Sequence, residues 1–192
     1  RFLLKGRALQ APPMGCARSR TCRILPYTND LPPNHVERCP MARLDLNRQT
    51  ADAFIDRINS IHSLEQRQWG TMDPQKLLRH VTYLVEISLG EEKAEKIFMP
   101  MPSFLVWLLF FDWFTHWPKG KIDAPPAFFP EGKKTIEEAR EQCIAAINRF
   151  CDQLEVAPDQ TGFSPLLGTI PLHKWARVHG VHMDHHLRQY GV

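Results

Sequence analysis

The sequence predicts an all-α fold, an up-and-down four-helix bundle with an extra short aromatic-rich helix. Three observations predict it. Apolar residues recur at three- and four-residue steps in several separate stretches, helix start signals stand in front of them, and no alternating β pattern of useful length appears. The helical part covers residues 41–192, and residues 1–40 differ from it in composition.

Leu46, Thr50, Phe54, Ile58 and Ile61 set the first helix, over roughly 46–61. Asp73-Pro74 opens the second, because Asp caps free backbone N–H groups and Pro suits the first helical position. Its stripe is Leu77, Val81, Leu84 and Ser88, and Gly90 is the expected stop. Residues 98–117 then hold eight of the 19 aromatic residues, and Ser103 to Phe111 carries no charge. This stretch reads as a short buried helix. A subunit contact or a membrane surface is the alternative, but interfacial helices usually carry Lys or Arg on one face and this one has none.

Residues 118–134, with four prolines and two glycines, read as a long loop. Thr135-x-x-Glu138 matches a capping box and starts a helix whose stripe is Ile136, Ala139, Cys143, Ile147, Phe150 and Leu154. Residues 155–169 read as another loop. Pro171 suits the first turn of a last helix that reaches about Gln189.

Residues 1–40 hold six of the 16 prolines, three of the five cysteines and no sustained period. They are expected to be a disordered extension, or a start that is not the native one. Their Arg-rich, acid-poor character has a faint likeness to an organelle transit peptide, and Phe2-Leu3-Leu4 is too short for a secretory core. The whole chain has a net charge of +3, yet residues 1–40 carry +5 and residues 41–192 carry −2. That balance argues against nucleic-acid binding as the main task of the folded part. No run of 18 apolar residues exists, so no transmembrane segment is expected. Cys16, Cys22 and Cys39 fit no paired zinc spacing, and Cys143 and Cys151 read as small core residues. Five cysteines without a secretory signal point to a reducing, cytoplasmic compartment.

Five of the nine histidines fall in the last 20 residues: His173, His179, His182, His185 and His186. At about 100° per residue, with His182 at zero, Trp175 lies near 20°, His186 near 40° and His179 near 60°. The stripe of Leu172, Ala176, Met183, Leu187 and Tyr190 borders that arc. On the same wheel Arg177, Asp184 and Arg188 lie near 200–240°, on the solvent side, and His185 lies near 300°, toward the polar side.

His182 and His186, four apart, can bind one metal. No Glu follows His182, so the built-in base of an H-E-x-x-H protease is missing. His80, on the apolar face with Leu77, Leu84 and Ile87, is the candidate third ligand. A single His in such a place is commonly just a hydrogen-bonded core residue. Beside a His pair on another helix, however, a shared metal would satisfy three buried imidazoles at once. His62 reads as surface, and His116 and His173 as helix-terminus residues. A polar, pH-sensitive helix without metal is the competing account of the cluster.

Trp69-Gly70-x-Met72, Leu77-Leu78-x-His80, Pro165-Leu166-Leu167-Gly168 and His182-x-Asp184-His185-His186-Leu187-x-Gln189 together resemble one branch, of unassigned activity, of the DinB/YfiT superfamily of metal-binding four-helix bundles. The resemblance covers 41–192 and leaves the first 40 residues outside it. It implies His80, His182 and His186 as the metal ligands. It also implies kinship with thiol-dependent transferases that use bacillithiol, mycothiol or glutathione, and with an isomerase. His179 departs from that three-ligand pattern and is a candidate fourth ligand, general base or partner to a ligand.

Two functions follow as expectations. The first is a divalent-metal-dependent enzyme, a hydrolase or thiol transferase, in which Zn, Ni or Fe activates water or a thiol against a small-molecule substrate. His179 is its candidate acid–base group and Glu86 a weaker one. The second is a non-catalytic, metal-stabilised bundle that binds a small apolar ligand or forms a homodimer.

Overall fold

Each long helix begins where the local chemistry can satisfy its free N–H groups. The computed structural model describes residues 44–113, 116–120, 128–129 and 134–192. The expectations for residues 1–40 and for most of the 118–134 loop lie outside the described residues. Helix α1 runs Arg48–Asn59, with Asn47 accepting from the Gln49 and Thr50 amides and the Thr50 hydroxyl taking the Asn47 amide in return. Leu46 and Ile61, expected inside this helix, flank it and are fully buried. Helix α2 runs Pro74–Leu89, capped by Asp73 on the Lys76 amide and ended by Gly90 at φ 77°. Thr135 and Glu138 form the expected capping box of α4, Ile136–Val156. Helix α5 runs Leu172–Gln189, and Pro171 is its N-cap rather than its first turn.

The aromatic stretch is only partly buried. Helix α3 covers Ser103–Trp107 and continues as a wider π-type turn over Leu108–Trp113. Val106 and Phe111 point into the core, whereas Phe104 is 67% and Trp113 73% exposed. The segment is thus a cover with one buried side, which corrects the expectation of a buried helix. The loop read over 155–169 also holds structure. Strands β1, Thr161–Ser164, and β2, Gly168–Pro171, pair antiparallel with Thr161 opposite Pro171. Burial alternates along β1, but with Phe163 outward and Gly162 and Ser164 inward, so the sequence shows no apolar alternation there.

The four long helices share one apolar core, centred on Phe54, Leu78, Ile147, Phe150, Trp175 and Met183. Helix α1 packs on α4 and α5, and α2 packs on the same two. Their directions follow from paired contacts. Leu46 N bonds Ala176 O at 2.8 Å and Arg57 meets Asp184 at 3.0 Å, so α1 and α5 run the same way. Arg48 pairs with Asp152 and Arg140 reaches Ile61 O, so α4 runs against α1. His80 meets His182 while Ser88 meets His179, so α2 runs against α5. Helices α2 and α4 therefore run alike, consistent with Glu86 meeting Arg149.

The order is up, down, down, up, which corrects the alternating order expected from the sequence. Two parallel neighbours cannot be joined by a tight turn, so the chain between Leu89 and Ile136 has to travel back along the helices. The length of that connection was visible in the sequence, and it carries α3.

Gly180 explains one further feature of α5. Glycine inside a helix costs about 1 kcal/mol relative to alanine. Here a Cβ would lie 1.8 Å from the Leu44 carbonyl oxygen. The chain entering α1 crosses α5 at that point, and only glycine leaves room for it.

Candidate metal centre

Helix α2 presents His80 and helix α5 presents His182 and His186 to one point. The Nε2 atoms of His80 and His182 are 2.9 Å apart, as are those of His186 and His182. The ligand nitrogens of the three lie within 4.8 Å of one another, and all three residues are buried. The sequence-predicted triad is therefore assembled as expected.

The outer nitrogens fix the protons. His80 Nδ1 donates to the Phe128 carbonyl at 3.0 Å, and His186 Nδ1 donates to Gln189 Oε1 at 2.8 Å. With those protons on Nδ1, both Nε2 atoms offer lone pairs inward. His182 Nε2 faces both lone pairs, and its own Nδ1 is buried with no partner among the described residues. A proton on His182 Nε2 serves only one neighbour; a proton on Nδ1 is stranded. Either way a buried polar group goes uncompensated, at about 1–3 kcal/mol. A divalent cation would accept all three Nε2 lone pairs and so end the crowding at the centre, with the His182 proton then on Nδ1, which has no partner among the described residues. Nitrogens at 2.0–2.1 Å from a tetrahedral ion stand about 3.3 Å apart, so each of the two 2.9 Å pairs would open by only about 0.4 Å.

Burial also keeps these imidazoles neutral, which is the ligating form. It brings His80 down to about 4, against the Phe128 carbonyl, which raises it, and with Lys76 lowering it further. Burial, reinforced by neighbouring imidazoles, drives His182 and His186 well below the ordinary range.

The loop before α2 supports the centre. Gln189 sits three residues after His186 and so beside it on the helix. Its backbone carbonyl accepts from the Gln68 amide at 2.6 Å, and Tyr190 donates its hydroxyl to the Met72 carbonyl at 2.8 Å. Gly70, at φ +82°, lies against the Gln189 amide, where a Cβ would come within 2.6 Å of Nε2. The space left by the missing Gly70 side chain holds the Gln189 amide nitrogen, while its oxygen accepts from His186 Nδ1. The Trp-Gly-x-Met string is thus a clamp on the end of α5, a role that the string itself did not disclose.

His185 corrects its expected placement. It is 4% exposed rather than polar-facing, with its ring 5.3 Å from that of Trp69 and 5.5 Å from that of Trp117. Burial is the main cause that lowers it to about 4. Asp184, read as solvent-facing, is also buried and pairs with Arg57 at 3.0 Å and Arg188 at 2.8 Å. Loops cover His185 and the end of α1 covers Asp184, on the side of α5 that a single-helix wheel leaves open.

His179, the candidate acid–base group, is in a different place. Its ring stacks on Trp175 at 5.0 Å and meets the Phe150 ring edge-on at 4.7 Å. Ser88 Oγ donates to the Val85 carbonyl at 2.6 Å, so His179 Nε2 donates to Ser88 Oγ at 2.9 Å. Burial lowers His179 to about 3. It is one turn from His182, ties α5 to α2, and does not line the cavity described next. Glu86 faces Arg149 at 3.5 Å, and burial raises its carboxyl. His62 is exposed, as expected; His116 approaches Asp184 at 3.5 Å, and His173 approaches Asp159 at 3.2 Å.

A cavity of about 280 Å³ opens beside the triad. Its polar wall is His80, His182, His185, His186, Gln189 and Ser164, and the rest is apolar, with Phe110, Phe111, Trp117 and Phe128 prominent. No sequence pattern announced it, because its walls come from α2, α3, α5 and four connecting segments. No family model, no curated protein and no solved structure matches this chain.

Proposed function

We propose that the protein is a divalent-metal-dependent enzyme, a hydrolase or thiol transferase, built on a DinB-like four-helix bundle. His80, His182 and His186 would hold one zinc, nickel or iron ion, and a small-molecule substrate or low-molecular-weight thiol would enter the adjoining cavity. The observation that carries this reading is three buried Nε2 atoms converging on the wall of that cavity, two of them 2.9 Å from the third. Such an ion, when bound, supplies Lewis acidity that draws the pKa of a water or thiol toward neutrality.

The chain's own residues do the rest. Phe128 and Gln189 orient His80 and His186 through their Nδ1 protons. The aromatic wall lowers the polarity beside the triad, which would strengthen electrostatic interactions there. His185 is the imidazole outside the triad that lines the cavity. A reducing, cytoplasmic location goes with this reading, since Cys143 and Cys151 are free thiols. Among the described residues, no helix is long and apolar enough to cross a membrane.

A second reading keeps the metal and drops the turnover: a metal-stabilised bundle that stores a small apolar ligand or pairs with a second copy. The exposed Phe98, Phe104 and Trp113, 88%, 67% and 73% accessible, favour the pairing. The test begins with elemental analysis of the full chain purified without a histidine tag and equilibrated with zinc. The expected result is one divalent ion per chain, lost in His80→Ala and His186→Ala and kept in His185→Ala. Hydrolysis of neutral esters and amides, and addition of glutathione to an electrophile, are then measured against zinc content. Zinc retention no higher in the wild type than in His80→Ala rejects the metal centre. Full zinc with no turnover in either panel favours the second reading.

A further inference from the structure

The cavity is unusual in what it lacks. Among its described lining residues there is no Lys, Arg, Asp or Glu. Its polar groups are the histidines and Gln189 at one end, together with Ser164. Of these, His80 and His186 direct their Nδ1 protons to protein carbonyls, and Ser164 Oγ accepts from the Leu167 amide at 3.2 Å. The remaining walls include Leu84, Ile97, Met99, Val106, Phe110 and Leu166.

A charged group held against those walls would lose its hydration with no counter-charge to replace it, and buried unpaired charge is strongly disfavoured. Size narrows the occupant further. A dry cavity of about 150 Å³ holds benzene, so this one suits about ten to fourteen non-hydrogen atoms. Met72 and Met99 add soft, adjustable surface rather than a rigid mould.

From this we propose that the cavity binds a neutral, mainly apolar molecule of that size, with its single polar group turned toward the histidine cluster. The proposal deepens the metal-centre reading by naming the substrate class, and its orientation arm rests on that reading. It separates the two enzyme classes left open above. Glutathione carries two carboxylates and an ammonium, for which these walls offer no partner. A hydrolysable neutral ester or amide with an apolar body fits them.

The test uses calorimetry on the full chain as purified, with n-alkanols from butanol to octanol as the probes. Burial of each added methylene should tighten binding about fourfold. Protonated octylamine, which has the same chain and a charge, should bind at least about 100-fold more weakly than octanol. Leu84→Trp, which places bulk in the cavity, should weaken octanol at least about tenfold, with its circular dichroism and thermal midpoint checked against wild type. A second variant, Phe110→Ala, keeps the test open if the first misfolds, because the enlarged cavity should prefer longer alkanols. A flat alkanol series, or octylamine equal to octanol, overturns the proposal even if zinc binds normally.

Orientation is read on zinc-equilibrated protein with octanehydroxamic acid, a neutral chain with a metal-chelating head. It should bind more tightly than octanol, and His186→Ala should remove most of that advantage, measured against octanol on the same variant. A rising alkanol series in a chain that takes up no zinc would instead reject the metal centre and leave the cavity assignment standing. A hydroxamic acid that binds no better than octanol in a zinc-loaded chain would overturn the proposed orientation.

Discussion

Acid should unfold the metal-free protein at an unusually high pH. His80, His179, His182 and His186 are buried, and burial lowers all four, His80 to about 4 and His179 to about 3. A histidine in the unfolded chain titrates near 6.5. The unfolded state therefore takes up protons that the folded state refuses, so stability is fully present above about pH 6.5 and falls as pH drops toward the folded values. His80 and His179 each withdraw about 1 kcal/mol by pH 5.5 and about 2 kcal/mol by pH 5. Together they withdraw about 4 kcal/mol by pH 5, and His182 and His186 add in the same direction, against a whole stability of about 5–15 kcal/mol for an ordinary domain. His185 adds in the same direction.

The assay is urea unfolding followed by far-ultraviolet circular dichroism between pH 7.5 and pH 5, after dialysis against a chelator. His179→Gln keeps a donor for Ser88 and removes one titrating group, so it should reduce the fall by about 2 kcal/mol. A wild-type change of less than about 2 kcal/mol over that range, the worth of one histidine, would show that the imidazoles are hydrated or already charged, and would refute the reasoning.

Two further outcomes are expected. Gly70→Ala forces a Cβ to within 2.6 Å of the Gln189 amide nitrogen at a positive φ, so His186 loses its orienting acceptor; zinc affinity by competition with a chromophoric chelator should fall about 10–100-fold, with Gln189→Leu doing the same. Asp184→Ala leaves Arg57 and Arg188 without their shared carboxylate, and should lower unfolding stability by about 1–3 kcal/mol while zinc stoichiometry stays at the wild-type value.

The parts of this fold that were legible in the sequence are those decided within a turn or two of helix. Asp73-Pro74, Gly90 and the Thr135–Glu138 box act on neighbouring backbone groups, and they mark helix ends where expected. His182 and His186 share a helix face by spacing alone, and His80 stands on an apolar face of α2 that had to meet another helix. Helix direction is different in kind. Nothing within α2 or α4 says that they run parallel; only the length of the connection between them hints at it, and an alternating order reads equally well from the helices themselves.

The misplacement of His185 and Asp184 has the same origin. A helical wheel measures each residue against the apolar stripe of its own helix, so a polar residue away from the stripe is assigned to water. Helix α5 is instead covered on that side by Trp69 and Trp117 over His185, and by Arg57 of α1 at Asp184. These covers come from loops and from the end of another helix, which periodicity does not describe. The converging histidines could be found because two of them are on one helix. The cavity could not, because Trp117, Phe128, Ile97 and Pro165 reach it from connecting segments. The convergence of the three histidines is thus set by helix spacing, and much of the cavity wall by loops. Substitutions at the three histidines should therefore change whether the site holds a metal, while substitutions at Trp117 or Ile97 should change which molecule it accepts.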